Sequence, residues 1–128
     1  MTDQRFPTGV DEVTPAWLTS ALRSAGGFEI GSVTGFEAEL IGQGVGIMGL
    51  LHRLRPTYDG GSGPETVILK SPVQDEGTRF VARTFMFYSK EVGFYRTAAD
   101  DSPLTTPRCF AADHDSESDE FVLLLADL

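Results

Sequence analysis

Cysteine is nearly absent from this chain. Cys109 stands alone in 128 residues, so no internal disulfide can form and a reducing compartment suits the composition. Long apolar runs are missing too, and nothing approaches the ~20 consecutive apolar residues that span a bilayer. Met1-Thr2-Asp3-Gln4-Arg5 lacks the basic-then-apolar layout of a secretory signal, and the expected location is the cytoplasm. Positive charge is also scarce. Ten Lys and Arg against nineteen Asp and Glu leave a formal charge of −9. That argues against a nucleic-acid partner, because a phosphate backbone is met by a basic face.

What remains is the composition of a soluble globular protein, 41% hydrophobic and 23% charged. Its length suits one domain around one core. Part of the acidity is local, in Asp113-His114-Asp115-Ser116-Glu117-Ser118-Asp119-Glu120. The stretch lacks the glycine and terminal glutamate of a calcium loop, so it reads as a solvated turn and no metal ligands are assigned.

Residues 1–12 are polar and expected to be loose. Thr14 can cap a helix and Pro15 suits its first turn. Trp17, Leu18, Ala21, Leu22 and Ala25 follow at helical spacing until Gly26-Gly27. Strands are expected over 30–41 and 50–58, with a flexible connection at Asp59-Gly60-Gly61-Ser62-Gly63-Pro64 leading into Thr66-Val67-Ile68-Leu69-Lys70. After a polar bridge over 71–78, the run 79–99 predicts one long helix. Its apolar stripe is Val81, Phe85, Tyr88, Val92 and Tyr95. Two strands, 108–113 and 121–125, flank the acidic turn. The expected fold is α+β: a five-stranded antiparallel sheet with an N-terminal helix and one packed helix between strands 3 and 4.

Three features carry chemistry. Gly44-Val45-Gly46-Ile47-Met48-Gly49 matches G-x-G-x-x-G, a pattern shared by dinucleotide folds, kinase-type loops and ordinary hairpins. A dinucleotide fold would continue into a helix, whereas alternation and Pro56 follow here, and it would end the next strand on an acid where Lys70 stands. A lysine closing an apolar strand either snorkels to solvent or is paired, since burying an unpaired ammonium costs several kcal/mol. Glu91 lies beside the helical stripe and would face inward to supply that pair. Glycine loop, strand lysine and helix glutamate, in this order, are the phosphate-handling parts of a kinase-type small lobe.

Taken with Thr14-Pro15-Ala16-Trp17-Leu18, Ile41 to Gly49, Val67 to Lys70, Glu91-Val92-Gly93-Phe94-Tyr95 and Phe121 to Leu128, the chain resembles the N-terminal lobe of the aminoglycoside phosphotransferase and choline kinase superfamily. The likeness is strongest to its ecdysteroid-kinase-like and bacterial phosphotransferase branch, and it runs from about Asp11 to the end. It implies ATP as donor, Mg2+, and a small-molecule hydroxyl as acceptor. By position, Gly42, Gly44, Gly46 and Gly49 would belong to the phosphate-covering loop, Lys70 would be the phosphate lysine and Glu91 its partner. Ala126 to Leu128 would begin the segment that reads the adenine edge. Relatives in this branch often carry glutamate where Ala126 stands. Asp127 has no partner that the sequence names.

In that superfamily a second lobe carries the catalytic aspartate of an H-G-D-type loop, a nearby asparagine and the magnesium-binding acid. No such residues can be assigned within 1–128, so the whole chain reads as a single ATP-binding lobe, without catalytic residues and inactive alone. The alternative is a non-catalytic binding or regulatory module that keeps the same fold. Leu124, Leu125, Leu128, Ile47 and Met48 are expected to leave an apolar patch on the cleft face, through which two copies would pair as a homodimer.

Overall fold

The computed structural model describes residues 6–25, 30–42, 49–73, 76–84, 86–97, 108–115 and 118–127. Helix α1, Pro15–Ala25, starts where the sequence places it. The Thr14 hydroxyl accepts the Trp17 amide at 3.1 Å, and the Thr14 carbonyl accepts that of Leu18. The hydroxyl satisfies an amide that a helix start otherwise leaves orphaned, and the carbonyl takes the first bond of the helical ladder. The chain before it is not loose from Phe6 onward. A short 3-10 turn spans Val10–Glu12, Pro7 is buried, and Phe6 and Val10 pack on the core. Glu12 closes this segment by accepting from both the amide and the hydroxyl of Thr8.

Strands β1 (Ile30–Gly42), β2 (Gly49–Gly61), β3 (Val67–Pro72), β4 (Cys109–Asp115) and β5 (Glu120–Ala126) form one antiparallel sheet in the order β1-β2-β3-β5-β4. Pro56 is tolerated inside β2 because β3 flanks that strand only as far as Leu54. Beyond that point β2 has β1 alone as its neighbour. The fold is the α+β arrangement expected from the sequence.

Strand alternation divides the core into two clusters, one on each sheet face. Val33, Leu54, Val67, Leu69, Val122 and Leu124 pack with Leu18, Ala21 and Leu22 of α1. Phe121, Leu123 and Leu125 pack on the other face against Tyr88 and Val92. An interior strand covered on both sides needs apolar residues at every position, which is why Phe121 to Leu125 has no polar alternation. Leu124 and Leu125 are therefore core residues, 0% and 8% exposed, and cannot form the apolar patch expected of them. Ile47, Met48 and Leu128 lie outside the described residues.

The run 79–99 is divided. Helix α2 spans Glu76–Thr84 and helix α3 spans Phe87–Thr97, with Met86 between them at φ 59°. That left-handed residue ends one helix, its amide reaching back to the Arg83 carbonyl, and its own carbonyl begins the next by accepting from Lys90. Helix α3 covers the sheet, while α2 reaches the β4–β5 turn through Arg79, which pairs with Glu120 at 2.7 Å and donates to the Ser118 carbonyl. The expected polar bridge after β3 is partly core: Ser71, Pro72 and Val73 are buried.

The acidic turn forms between β4 and β5 but is less solvated than its composition suggests. Asp119 is buried against His114 at 2.7 Å, and Asp113 pairs with Arg96 of α3. No helix among the described residues is long and apolar enough to cross a membrane.

Candidate functional site

The two clusters set the direction of every side chain on β3. Val67 and Leu69 face α1, so Ile68 and Lys70 face α3. Lys70 lies opposite Leu51 of β2 and Leu123 of β5, in the interior of the sheet. Its stem crosses Gly49 at the start of β2. A Cβ added at Gly49 would stand 2.8 Å from the Ser71 carbonyl and 3.2 Å from Lys70 Cε. The Ser71 backbone carbonyl therefore requires glycine here, and the same bareness leaves room for the Lys70 stem.

Glu91 meets Lys70 from α3. Tyr88, one turn earlier, stacks on Phe121 with ring centroids 4.4 Å apart, and its hydroxyl bonds the backbone of Val73. Burial pushes that hydroxyl's pKa above its usual range. Val92, the next residue in the chain, is 2% exposed. Anchored on both sides, Glu91 points at the sheet, and Lys70 Nζ donates to its Oε2 at 2.8 Å. Both side chains retain some solvent contact, 20% for Lys70 and 31% for Glu91. In such a partly buried pair desolvation offsets much of the attraction, so the net gain in stability is ~1 kcal/mol or less. Its effect is to aim the ammonium, which has three donor hydrogens, of which Glu91 takes one.

Of the residues singled out from sequence, Gly49, Lys70 and Glu91 come together. Gly42 closes β1, paired with Leu51, so the glycine-rich segment joins two strands of a hairpin. Gly44, Gly46 and Leu128 lie outside the described residues. Ala126 ends β5 opposite Val67, and its amide donates to the Arg108 carbonyl at 2.8 Å. It stands three residue pairs from Lys70 along the β3–β5 ladder, about 10 Å away.

Sequence reasoning missed a second polar cluster on the same face. Asp127 Oδ2 accepts from Arg53 Nε at 2.7 Å and from the Thr66 hydroxyl at 2.7 Å. Arg53 also reaches Glu39 at 3.7 Å. The hydrogen bond from Arg53, then that from Thr66, holds the Asp127 carboxyl below its ordinary range, and Asp127 raises the Arg53 guanidinium in turn. Alternation assigns Arg53 to the face of Leu51, and Thr66 to that of Lys70, but the partners lie 74 and 61 residues from Asp127. Only the sheet order brings them together. Between the two polar clusters, Leu51 and Ile68 form a half-buried apolar strip.

Compared with known proteins, the chain matches no family model, no curated protein and no solved structure. The functional reading therefore rests on the chain's own geometry.

Proposed function

We propose that this chain is the nucleotide-binding lobe of a phosphotransferase that moves the γ-phosphoryl group of ATP to a hydroxyl of a small molecule. The observation that carries this reading is the 2.8 Å contact between Lys70 and Glu91, set beside a hairpin bounded by Gly42 and Gly49. A structural ion pair would gain little at this exposure, and a strand interior is a costly place for an ammonium. An ammonium fixed by one carboxylate, with donors to spare among the described residues, suits the bridging oxygens of a polyphosphate.

The neighbouring surface supports the same reading. Ile68 and Leu51 offer an apolar strip beside Lys70, along which a purine ring would lie. Lys70 would hold the phosphates and Glu91 would hold Lys70. Mg2+ would neutralise charge on the triphosphate, and its protein ligands are expected beyond the described residues.

Replacing Lys70 by Met in the intact protein is expected to lower ATP-dependent phosphoryl transfer by ~100-fold, as loss of a preorganised charge does elsewhere. The unfolding midpoint should barely move. Undiminished transfer by a folded Lys70→Met variant would remove the basis of this assignment.

A further inference from the structure

The sheet has two edges, β1 and β4, and they are finished differently. At β4, Arg96 of α3 donates from Nε to the Ala112 carbonyl at 2.8 Å and pairs with Asp113 at 3.0 Å. At β1, the Thr19 hydroxyl of α1 accepts the Val33 amide at 2.8 Å. Beyond Val33, no side chain among the described residues caps that edge. Register shifts at Val33/Gly35 and Leu40/Gly42 bound an unbroken ladder with β2 from Gly35 to Leu40. That stretch is about 20 Å of regular strand with a neighbour on one side only. It holds neither the lysine nor the proline that commonly blunts an edge. Glu37, Ala38 and Glu39 are exposed, and Leu40 is 47% exposed.

The side chains decide what can pair there. Phe36 packs on the α1 core, so Ala38 and Leu40 share its face and Glu37 and Glu39 take the other. Arg55 and Arg53 stand opposite the two glutamates on β2 but are drawn elsewhere. Arg55 meets Glu65 at 3.5 Å, and Arg53 meets Asp127 at 2.7 Å while Glu39 lies 3.7 Å from it. Glu37 has no ion-pair partner among the described residues. A second copy is a poor occupant. Antiparallel self-pairing about Ala38 would set Glu37 of each copy opposite Glu39 of the other, and like charges so placed repel.

We propose that the β1 edge from Gly35 to Leu40 takes up an extended segment of a partner protein, in which basic residues alternate with apolar ones. The segment adds to the sheet as a sixth strand. Its lysines or arginines face Glu37 and Glu39, and its apolar side chains continue the surface of Ala38 and Leu40. Main-chain hydrogen bonds supply affinity, and the two carboxylates select the sequence. The net charge of −9 favours encounter with such a basic partner. This edge lies two strands from Lys70, and its role is independent of what that lysine binds.

The probe is a labelled peptide of alternating lysine and valine, about seven residues long, as strands commonly are. It is titrated into the intact protein by fluorescence anisotropy. Saturable binding is expected, weakened about tenfold or more when glutamate replaces lysine in the peptide. The doubly substituted protein, Glu37→Lys with Glu39→Lys, should lose a similar factor. Two further peptides are N-methylated at every lysine or at every valine. Only one of these two sets of amides can face β1 in an antiparallel ladder. One methylated peptide should therefore bind like the parent, and the other about tenfold more weakly or worse. Equal behaviour of the two would mean charge attraction without strand addition, and would overturn the proposal. Absence of binding by the parent peptide, or undiminished binding by the double variant, would overturn it as well. A wild-type dimer in sedimentation runs that the parent peptide fails to dissociate would make a second copy the occupant, against the proposal.

Discussion

At the scale of single residues, orientation matters more than energy. Replacing Glu91 by Gln keeps the shape of the pair and removes its charge. Nucleotide affinity is expected to fall about tenfold, equivalent to ~1.4 kcal/mol, while denaturant stability changes by less than ~1 kcal/mol. Paired nucleotide and denaturant titrations check both numbers. A variant that loses stability but keeps affinity would make the pair merely structural. His52 offers a second prediction. It is buried at 9% exposure, its Nδ1 has no partner among the described residues, and burial pulls its pKa below 6.5 despite an opposing pull from Asp11. A depressed folded pKa means that the unfolded chain takes up the proton first as pH falls. The stability tied to neutral His52 is thus complete above pH 6.5 and is lost as pH drops toward the lower folded value. His52→Leu should flatten the decline of stability between pH 7 and 5 (approximate limits bracketing the ordinary His pKa), measured by denaturant midpoints. An unchanged slope would place the acid sensitivity elsewhere.

At the scale of elements, much of the pattern could be read in advance, and the failures have specific causes. Thr14-Pro15 announced the start of α1 because caps are local chemistry, and Thr14→Ala should cost ~1 kcal/mol. The division of the long helical run was not legible. Tyr88, Val92 and Tyr95 keep a continuous stripe with the residues before them, and nothing local to Met86 signals a positive φ. The left-handed conformation costs a side chain ~1–2 kcal/mol. Met86→Gly should therefore raise stability by up to ~1 kcal/mol, after the greater freedom of glycine in the unfolded chain is counted. A loss of ~1 kcal/mol, the usual result of glycine inside a helix, would mean that α2 and α3 behave as one element in solution. The Gly49 position was legible as a loop glycine, but its reason, close approach to the Ser71 carbonyl with the Lys70 stem beside it, required the β2–β3 register.

For the molecule as a whole, the sheet order is what the sequence could least supply. Alternation over 50–58 and short apolar runs bounded by turn residues revealed five strands, so the α+β class was accessible. Which strands are neighbours was not, and that adjacency buries Leu124 and Leu125 and joins Arg53, Thr66 and Asp127. Because β5 lies between β3 and β4 with a cluster on each face, one substitution there should be felt across the fold. Leu124→Ala should cost ~2–5 kcal/mol, read from thermal or denaturant unfolding.

The central claim is that Lys70, aimed by Glu91, binds the phosphates of a nucleotide. The most direct measurement is calorimetric titration of ATP into the intact wild-type protein and into its Lys70→Met variant, with the fold of each verified by its unfolding curve. The account predicts saturable binding by wild type and a loss of at least tenfold in the equally folded variant. Equal binding by both, or none by wild type, would contradict it.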